Sequence, residues 1–159
     1  MIGLVIVSHS EPLAHATVEL ARQMAQGEHP PIRIAAGADG GFGTDAAAIA
    51  AAIDELADAE GVLVLTDLGS AALSTELALD LRESTQPVRI SDGPLVEGTT
   101  AALVRAATGG TLDEVAAEAA NALAAKRRED EQAPPTAQTG TAGAAAAGAA
   151  SEPTCAVVA

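Results

Sequence analysis

The chain has 159 residues, 22 acidic against eight basic side chains for a formal charge of -14, and an apolar share of 48%. That charge opposes contact with nucleic acid or an anionic membrane surface, both of which need clustered Lys and Arg. A single cysteine, Cys155, excludes an internal disulfide framework and a cysteine metal cluster.

The composition also limits the core. There is no Trp and no Tyr, and Phe42 is the only aromatic residue, so Leu, Ile, Val and many Ala must fill the interior. The opening apolar run, residues 2–7, lacks a basic leader and is too short to span a bilayer. It reads as a buried strand in a cytoplasmic protein.

Residues 2–8 are continuously apolar and rich in β-branched side chains, which predicts a parallel strand buried on both faces and ending at His9. Ser10 or Glu11 then caps a helix opened by Pro12, with Leu13, Thr17, Leu20, Ala21 and Met24 at helical spacing up to Gly27. Residues 32–36 predict a second strand, followed by a Gly-rich loop over 37–43 and a helix capped by Thr44 that carries Ile49, Ile53 and Leu56. Residues 62–66 predict a third strand. Asp67-Leu68-Gly69-Ser70 and a helix with Leu73, Leu77 and Leu81 follow it. After a short strand at 88–90, Pro94 opens a helix ending near Gly109, and Thr111 with Glu114 forms a capping box for a last helix ending in Lys126, Arg127 and Arg128. The domain is expected to cover residues 1–128. From 129 to 159 the composition falls to Ala, Pro, Gly, Thr and Gln, which predicts a disordered linker or tail.

Alternating strands and helices predict an α/β fold: a doubly wound, mainly parallel sheet of order 2-1-3-4 with flanking helices, and a crevice at the carboxyl ends of the strands. In that order the first and third strands are neighbours, so His9 and Asp67 stand side by side. A neutral imidazole is a good nucleophile near neutral pH and can hold and pass on a phosphoryl group. Asp67 is suited to fix the ring tautomer, as carboxylates do in catalytic triads. Amides at the helix start after His9, at Gly40 to Thr44 and at Gly69 and Ser70 are candidate phosphate donors. Plainer readings stand beside these: His9 as a structural strand end, Asp67 as a helix cap, and Thr44-Asp45 as an N-cap pair. The loop at 37–43 lacks the Lys-Ser/Thr of a P-loop, and a mobile surface loop is a reading at least equal to a phosphate cradle. Phe42 either plugs that loop or meets a partner. His15 and His29 read as solvated.

The segments Leu4-Val-Ile-Val-Ser-His-Ser10, Gly43-Thr-Asp45, Asp67-Leu-Gly-Ser-Ala71 and Pro94-Leu-Val-Glu-Gly98 resemble the phosphotransferase subunits of phosphoenolpyruvate-dependent dihydroxyacetone kinases, over about residues 1 to 125. The resemblance implies a homodimeric IIA domain of the mannose type. In that family a histidine takes phosphate from the phosphocarrier HPr and gives it to ADP on the kinase subunit DhaL, and the ATP so formed phosphorylates dihydroxyacetone on a third subunit. By position, His9 is the phosphorylated residue and Asp67 its neighbour, with Ser10, Gly43, Thr44, Asp45, Gly69 and Ser70 lining the site. The covalent phosphohistidine is the intermediate, with no metal and no other cofactor expected. Family members often continue through a linker into an HPr-like domain. Two alternatives remain at this stage. A IIA domain of a mannose-family sugar transporter would hand phosphate to a IIB protein, but those domains usually carry a Gly-Gly-Ser-Pro-like segment where this chain has Gly69-Ser-Ala71. A receiver module would be phosphorylated on Asp67, but no acidic pair follows the first strand to hold magnesium.

Overall fold

A computed structural model describes residues 1–131 of the chain. The first strand, β1 (Gly3–Ser8), is buried at every position, as its unbroken apolar run requires. It pairs in parallel with β2 (Ile32–Ala36) on one side and β3 (Val62–Thr66) on the other, and β3 pairs with the short edge strand β4 (Val88–Ile90). The sheet order is therefore β2-β1-β3-β4, as the sequence pattern predicts.

Strand alternation divides the core into two layers. Leu4, Ile6, Leu63 and Leu65 face a layer formed by α1 (Glu11–Met24), α4 (Leu95–Ala107) and α5 (Leu112–Ala120). Val5, Val7, Val62 and Val64 face α2 (Ala46–Asp54) and α3 (Gly69–Leu81) on the other side. The helices meet the sheet largely through alanine: Ala14, Ala21, Ala102, Ala106 and Ala119 on one face, Ala50, Ala52, Ala71 and Ala78 on the other. Small side chains bring the helix axes close to the strands, so Val and Leu of the sheet can fill the space.

This packing corrects two of the predicted helix faces. In α1 the buried residues are Ala14, Thr17, Val18 and Ala21, while Leu13, Leu20 and Met24 are exposed. In α3 the buried residues are Ala71, Thr75 and Ala78, and Leu73, Leu77 and Leu81 lie outside. Leucine and alanine both recur at helical spacing in these helices, and the close layers admit the smaller residue. The α2 cap is Asp45 rather than Thr44, because the Asp45 carboxylate accepts from the Ala47 and Ala48 amides. Leu56 is buried but lies beyond the end of α2.

The predicted last helix is two. The Thr111/Glu114 capping box is present at the start of α5, but residues 121–123 form a tightened turn before α6 (Ala124–Glu131). In that turn the Ala122 and Ala124 amides reach back three residues, to the Ala119 and Asn121 carbonyls. The Gly93 backbone packs against the Ala119 carbonyl just before this break. The predicted tail lies outside the described residues from residue 132 onward. No helix among the described residues is long and apolar enough to cross a membrane.

A methyl group at Gly93 would stand 2.2 Å from the Ala119 carbonyl oxygen, so the loop before α4 and the end of α5 must part to admit it. Gly93→Ala is therefore expected to destabilise the domain by about 1–3 kcal/mol. A thermal melt showing no loss against the parent chain would contradict this packing.

Candidate active site

Because β1 and β3 are parallel neighbours with Val7 opposite Thr66, the residues that leave them emerge together at the same sheet edge. Those residues are Ser8 and His9 from β1 and Asp67 from β3. The Asp67 carboxylate accepts four hydrogen bonds. Its Oδ2 takes the His9 amide at 2.8 Å and the Ser8 hydroxyl at 2.9 Å, and its Oδ1 takes His9 Nδ1 at 3.0 Å and the Leu68 amide at 2.7 Å. The side chain is only 9% exposed. Burial by itself pushes its carboxyl up, and the hydrogen bonds from the His9 amide, the His9 ring, Ser8 and Leu68 together outweigh that and hold it below the usual carboxylate range.

An ionised carboxylate can only accept, so the ring proton of a neutral His9 sits on Nδ1 and the Nε2 lone pair is free. The Ser70 hydroxyl lies 2.9 Å from Nε2 and donates to it. Ser70 stands in the first turn of α3, whose N-cap, Leu68, offers no side-chain acceptor. The Gly69 and Ser70 amides therefore lead a helix start with no internal partner, where the helix dipole favours negative charge. The open nitrogen of His9 faces a hydroxyl donor at an uncapped helix N-terminus.

The other expected residues hold this arrangement from a distance. The Gly43 amide donates to the His9 carbonyl at 3.0 Å. Its φ of +149° is accessible mainly to glycine, and an added Cβ would come within 3.0 Å of Ala38. The Gly41 amide is bonded to the Ala38 carbonyl across a tight turn in which Asp39 and Gly40 have φ of 49° and 76°, the signature of an Asp-Gly hairpin turn. The Gly41 and Gly43 amides are thus engaged within the loop and with the histidine backbone, while the Gly40, Phe42 and Thr44 amides of the predicted cradle have no acceptor. At the start of α1 only the Glu11 amide is left without an acceptor. The Ser10 amide donates to Ser8 Oγ, the Ser10 hydroxyl caps Leu13, and Pro12 has no N–H. Ser10 is thus a cap, and Asp45 is the cap of α2. Thr44 touches neither His9 nor Asp67 by hydrogen bond; its hydroxyl pairs with Ser74 at 2.7 Å and ties the loop to α3.

Two residues of the network were not foreseen. Ser8 is fully buried, donates to Asp67 and accepts from the Ser10 amide. The one signal for it was a hydroxyl residue closing an otherwise apolar strand. Ser74 carried no signal apart from its position one turn after Ser70. Phe42 is 86% exposed and does not plug its loop. His15 pairs at 3.7 Å with Glu11 on the outer face of α1, and His29 is exposed, so neither joins the site.

Residues 3–131 match the EIIA-man family model, described as the PTS system fructose IIA component. The chain belongs to the EIIA-man family. It is 49% identical over 134 residues to the phosphoryl donor subunit DhaM of the PEP-dependent dihydroxyacetone kinase of Escherichia coli K12, a match covering 81% of this chain and 28% of that relative. The chain thus spans little more than a quarter of that relative's length. It is also 33% identical over 123 residues to the phosphoryl donor subunit DhaM of PEP-dependent dihydroxyacetone kinase 2 of Listeria innocua, covering 76% of this chain and 98% of that protein. Among solved structures, unknown function protein EF1359 aligns with a TM-score of 0.64 and 35% identity over 76% of this chain and 93% of that one. The EIIA-man match fits the parallel order β2-β1-β3-β4 and the histidine at the end of β1. A receiver reading fits the site poorly, because both Asp67 oxygens are already engaged.

Asp67→Asn leaves an amide where four donors converge, so at least one donor loses its acceptor. The variant is expected to be less stable by about 1–3 kcal/mol. Because the folded-state pKa of Asp67 lies below its unfolded value, the stability it contributes is complete above the ordinary carboxylate range, near about 4, and is lost as pH falls through the folded value. Urea titrations from neutral to acid pH should therefore show a shallower acid loss in Asp67→Asn than in the parent. Equal slopes would remove Asp67 from the acid-sensitive part of the fold.

Proposed function

We propose that this EIIA-man domain is a phosphohistidine relay. In this reading His9 accepts a phosphoryl group from phospho-HPr and passes it to ADP bound on the DhaL-type subunit of a phosphoenolpyruvate-dependent dihydroxyacetone kinase. The observation that carries it is the polarised ring: Nδ1 is held by a buried carboxylate, and Nε2 faces Ser70 at the open start of α3. The name of the E. coli relative, a phosphoryl donor subunit, supports the same direction of transfer. The Listeria relative carries the same name at nearly the length of the matched segment, which favours the IIA domain as the part that does the donating.

The chemistry follows from the hydrogen bonds. The Nε2 lone pair attacks the phosphorus of the donor phosphohistidine, a new N–P bond forms at His9, and the donor's N–P bond breaks with its electron pair returning to the donor ring. The Nδ1 proton stays in place and Asp67 stabilises the positive ring, the orienting role of a triad carboxylate. The Ser70 hydroxyl turns from Nε2 to a phosphoryl oxygen, and the Gly69 and Ser70 amides meet the added negative charge. In the second half a β-phosphate oxygen of ADP attacks, the His9 N–P bond breaks, and the ring returns to its neutral tautomer. No metal or other cofactor is required of this chain. The domain acts as a cytoplasmic homodimer in this reading, as the family resemblance implies. The Gly69-Ser-Ala71 segment and the printed names of the relatives favour the kinase over a sugar transporter.

His9→Ala should abolish labelling by phosphoenolpyruvate, enzyme I and HPr, whereas His15→Ala on the outer face of α1 should label as the parent does. The label should be lost in acid and survive alkali. Adding the two remaining kinase subunits with dihydroxyacetone should then yield dihydroxyacetone phosphate. Alkali-labile phosphate would move the site to a carboxylate, and transfer to a IIB protein without dihydroxyacetone phosphate would assign the domain to a transporter.

A further inference from the structure

Ser70 by itself does not keep the Nε2 lone pair of His9 free. Its hydroxyl, 2.9 Å from Nε2, can donate to that nitrogen or accept from it, so it suits either neutral tautomer of the ring. The Asp67 carboxylate cannot donate, and so it alone selects the tautomer with the proton on Nδ1. Whatever holds the plane of that carboxylate therefore protects the nucleophile. Two of its four donors, the His9 and Leu68 amides, are main-chain groups, and a third is the ring itself. The fourth is the hydroxyl of Ser8, the one donor supplied by a side chain outside the histidine–aspartate pair.

Ser8 is the last residue of β1 and is fully buried. Strand alternation puts it on the face of Leu4 and Ile6, where an apolar residue would end the strand without burying a polar group. Both roles of the hydroxyl are fixed. Its proton goes to Asp67 Oδ2 at 2.9 Å, because a carboxylate can only accept, and its lone pair takes the Ser10 amide at 3.0 Å. The result is a directed chain, Ser10 N–H to Ser8 Oγ–H to Asp67 Oδ2, in which each bond polarises the next. It passes around His9 and ties the carboxylate to the N-cap residue of α1.

We propose that Ser8 is a positioning residue of the relay: its hydroxyl locks the Asp67 carboxylate in the orientation that keeps the His9 proton on Nδ1 and leaves Nε2 able to attack. The proposal rests on the phosphohistidine reading above. Without that hydroxyl, Oδ2 keeps one main-chain donor, and the carboxylate turns more freely about its Cβ–Cγ bond. The tautomer with its proton on Nε2 then becomes accessible, with Ser70 accepting from it. That tautomer has no lone pair on the attacking nitrogen. Because Ser8 is buried and cannot touch a donor protein, its effect falls on the transfer step and not on docking.

The experiment combines a small phosphoryl donor with spectroscopy of the ring. Phosphoramidate can phosphorylate an accessible imidazole without docking. Ser8→Ala should lower the phosphoramidate rate and the kcat with phospho-HPr by the same factor, roughly tenfold, and leave the KM for phospho-HPr unchanged. The 15N shifts of the His9 ring in the unphosphorylated variant should move from a proton fixed on Nδ1 toward an average of both tautomers, which a loss of stability alone would not produce. Ser8→Thr keeps the hydroxyl and should restore most of the lost rate and the parent's ring shifts. Ser8→Cys, with a weaker donor at the same place, should fall between the two. In an Asp67→Asn background Ser8→Ala should cost little more, since its route to the ring is already gone. Parental rates and ring shifts in Ser8→Ala and Ser8→Cys would overturn the positioning role, and so would full additivity with Asp67→Asn. Failure of the parent to label with either donor would instead remove the phosphohistidine reading, and this proposal with it.

Discussion

The site depends on one buried carboxylate. Asp67 joins the ends of β1 and β3, and its four hydrogen bonds fix the His9 backbone, the His9 ring, the Ser8 hydroxyl and the entry to α3 together. Each bond contributes modestly on its own, since a hydrogen bond gained in the fold replaces one to water. Their joint effect is geometric. With Oδ1 holding Nδ1, Nε2 is set toward Ser70 and the start of α3, the geometry on which the proposed relay rests. Preorganisation of this kind lowers the barrier because the dipoles need not move as charge develops.

No Lys or Arg among the described residues hydrogen bonds to His9, Asp67 or Ser70. The described arginines and the lysine with side-chain partners are engaged elsewhere: Arg33 with Glu55, Arg89 with Asp113, Arg105 with Glu114 and Lys126 with Glu97. In the proposed relay, negative charge brought to Nε2 would therefore be met by neutral donors, a hydroxyl and helix amides. That suits a relay, which must accept a phosphoryl group and release it again. A guanidinium clamp would deepen the phosphorylated state and slow the second transfer, because binding that favours an intermediate does not favour its transition state.

Much of this was readable before the fold was known, and the limits have physical causes. The continuous apolar runs at β1 and β3 revealed buried parallel strands, and the short alternating segments fixed a strand order that set His9 beside Asp67. Loop chemistry was harder. Glycine at 41 and 43 signalled special backbone geometry, yet composition cannot say whether an amide is spent on the loop itself or left for a ligand. Helix faces were misread for a related reason. In α3, leucine and alanine follow the same period, and only the narrow gap beneath the helix decides that Ala71 and Ala78 go inward and Leu73 and Leu77 outward. Ser8 escaped notice because a lone hydroxyl at a strand end has no pattern around it. The break after α5 lies beside a long-range contact with Gly93, which local capping rules do not see.

The central claim is that the ring is held by Nδ1 and reacts at Nε2. Heteronuclear NMR of the phosphorylated protein with 15N-labelled histidine tests this directly, since the phosphorus couples to the nitrogen that bears it. Coupling to Nε2 of His9, together with a protonated Nδ1 whose signal shifts in Asp67→Asn, is the expected result. Coupling to Nδ1 would contradict it, because that nitrogen would have to leave Asp67 in order to react.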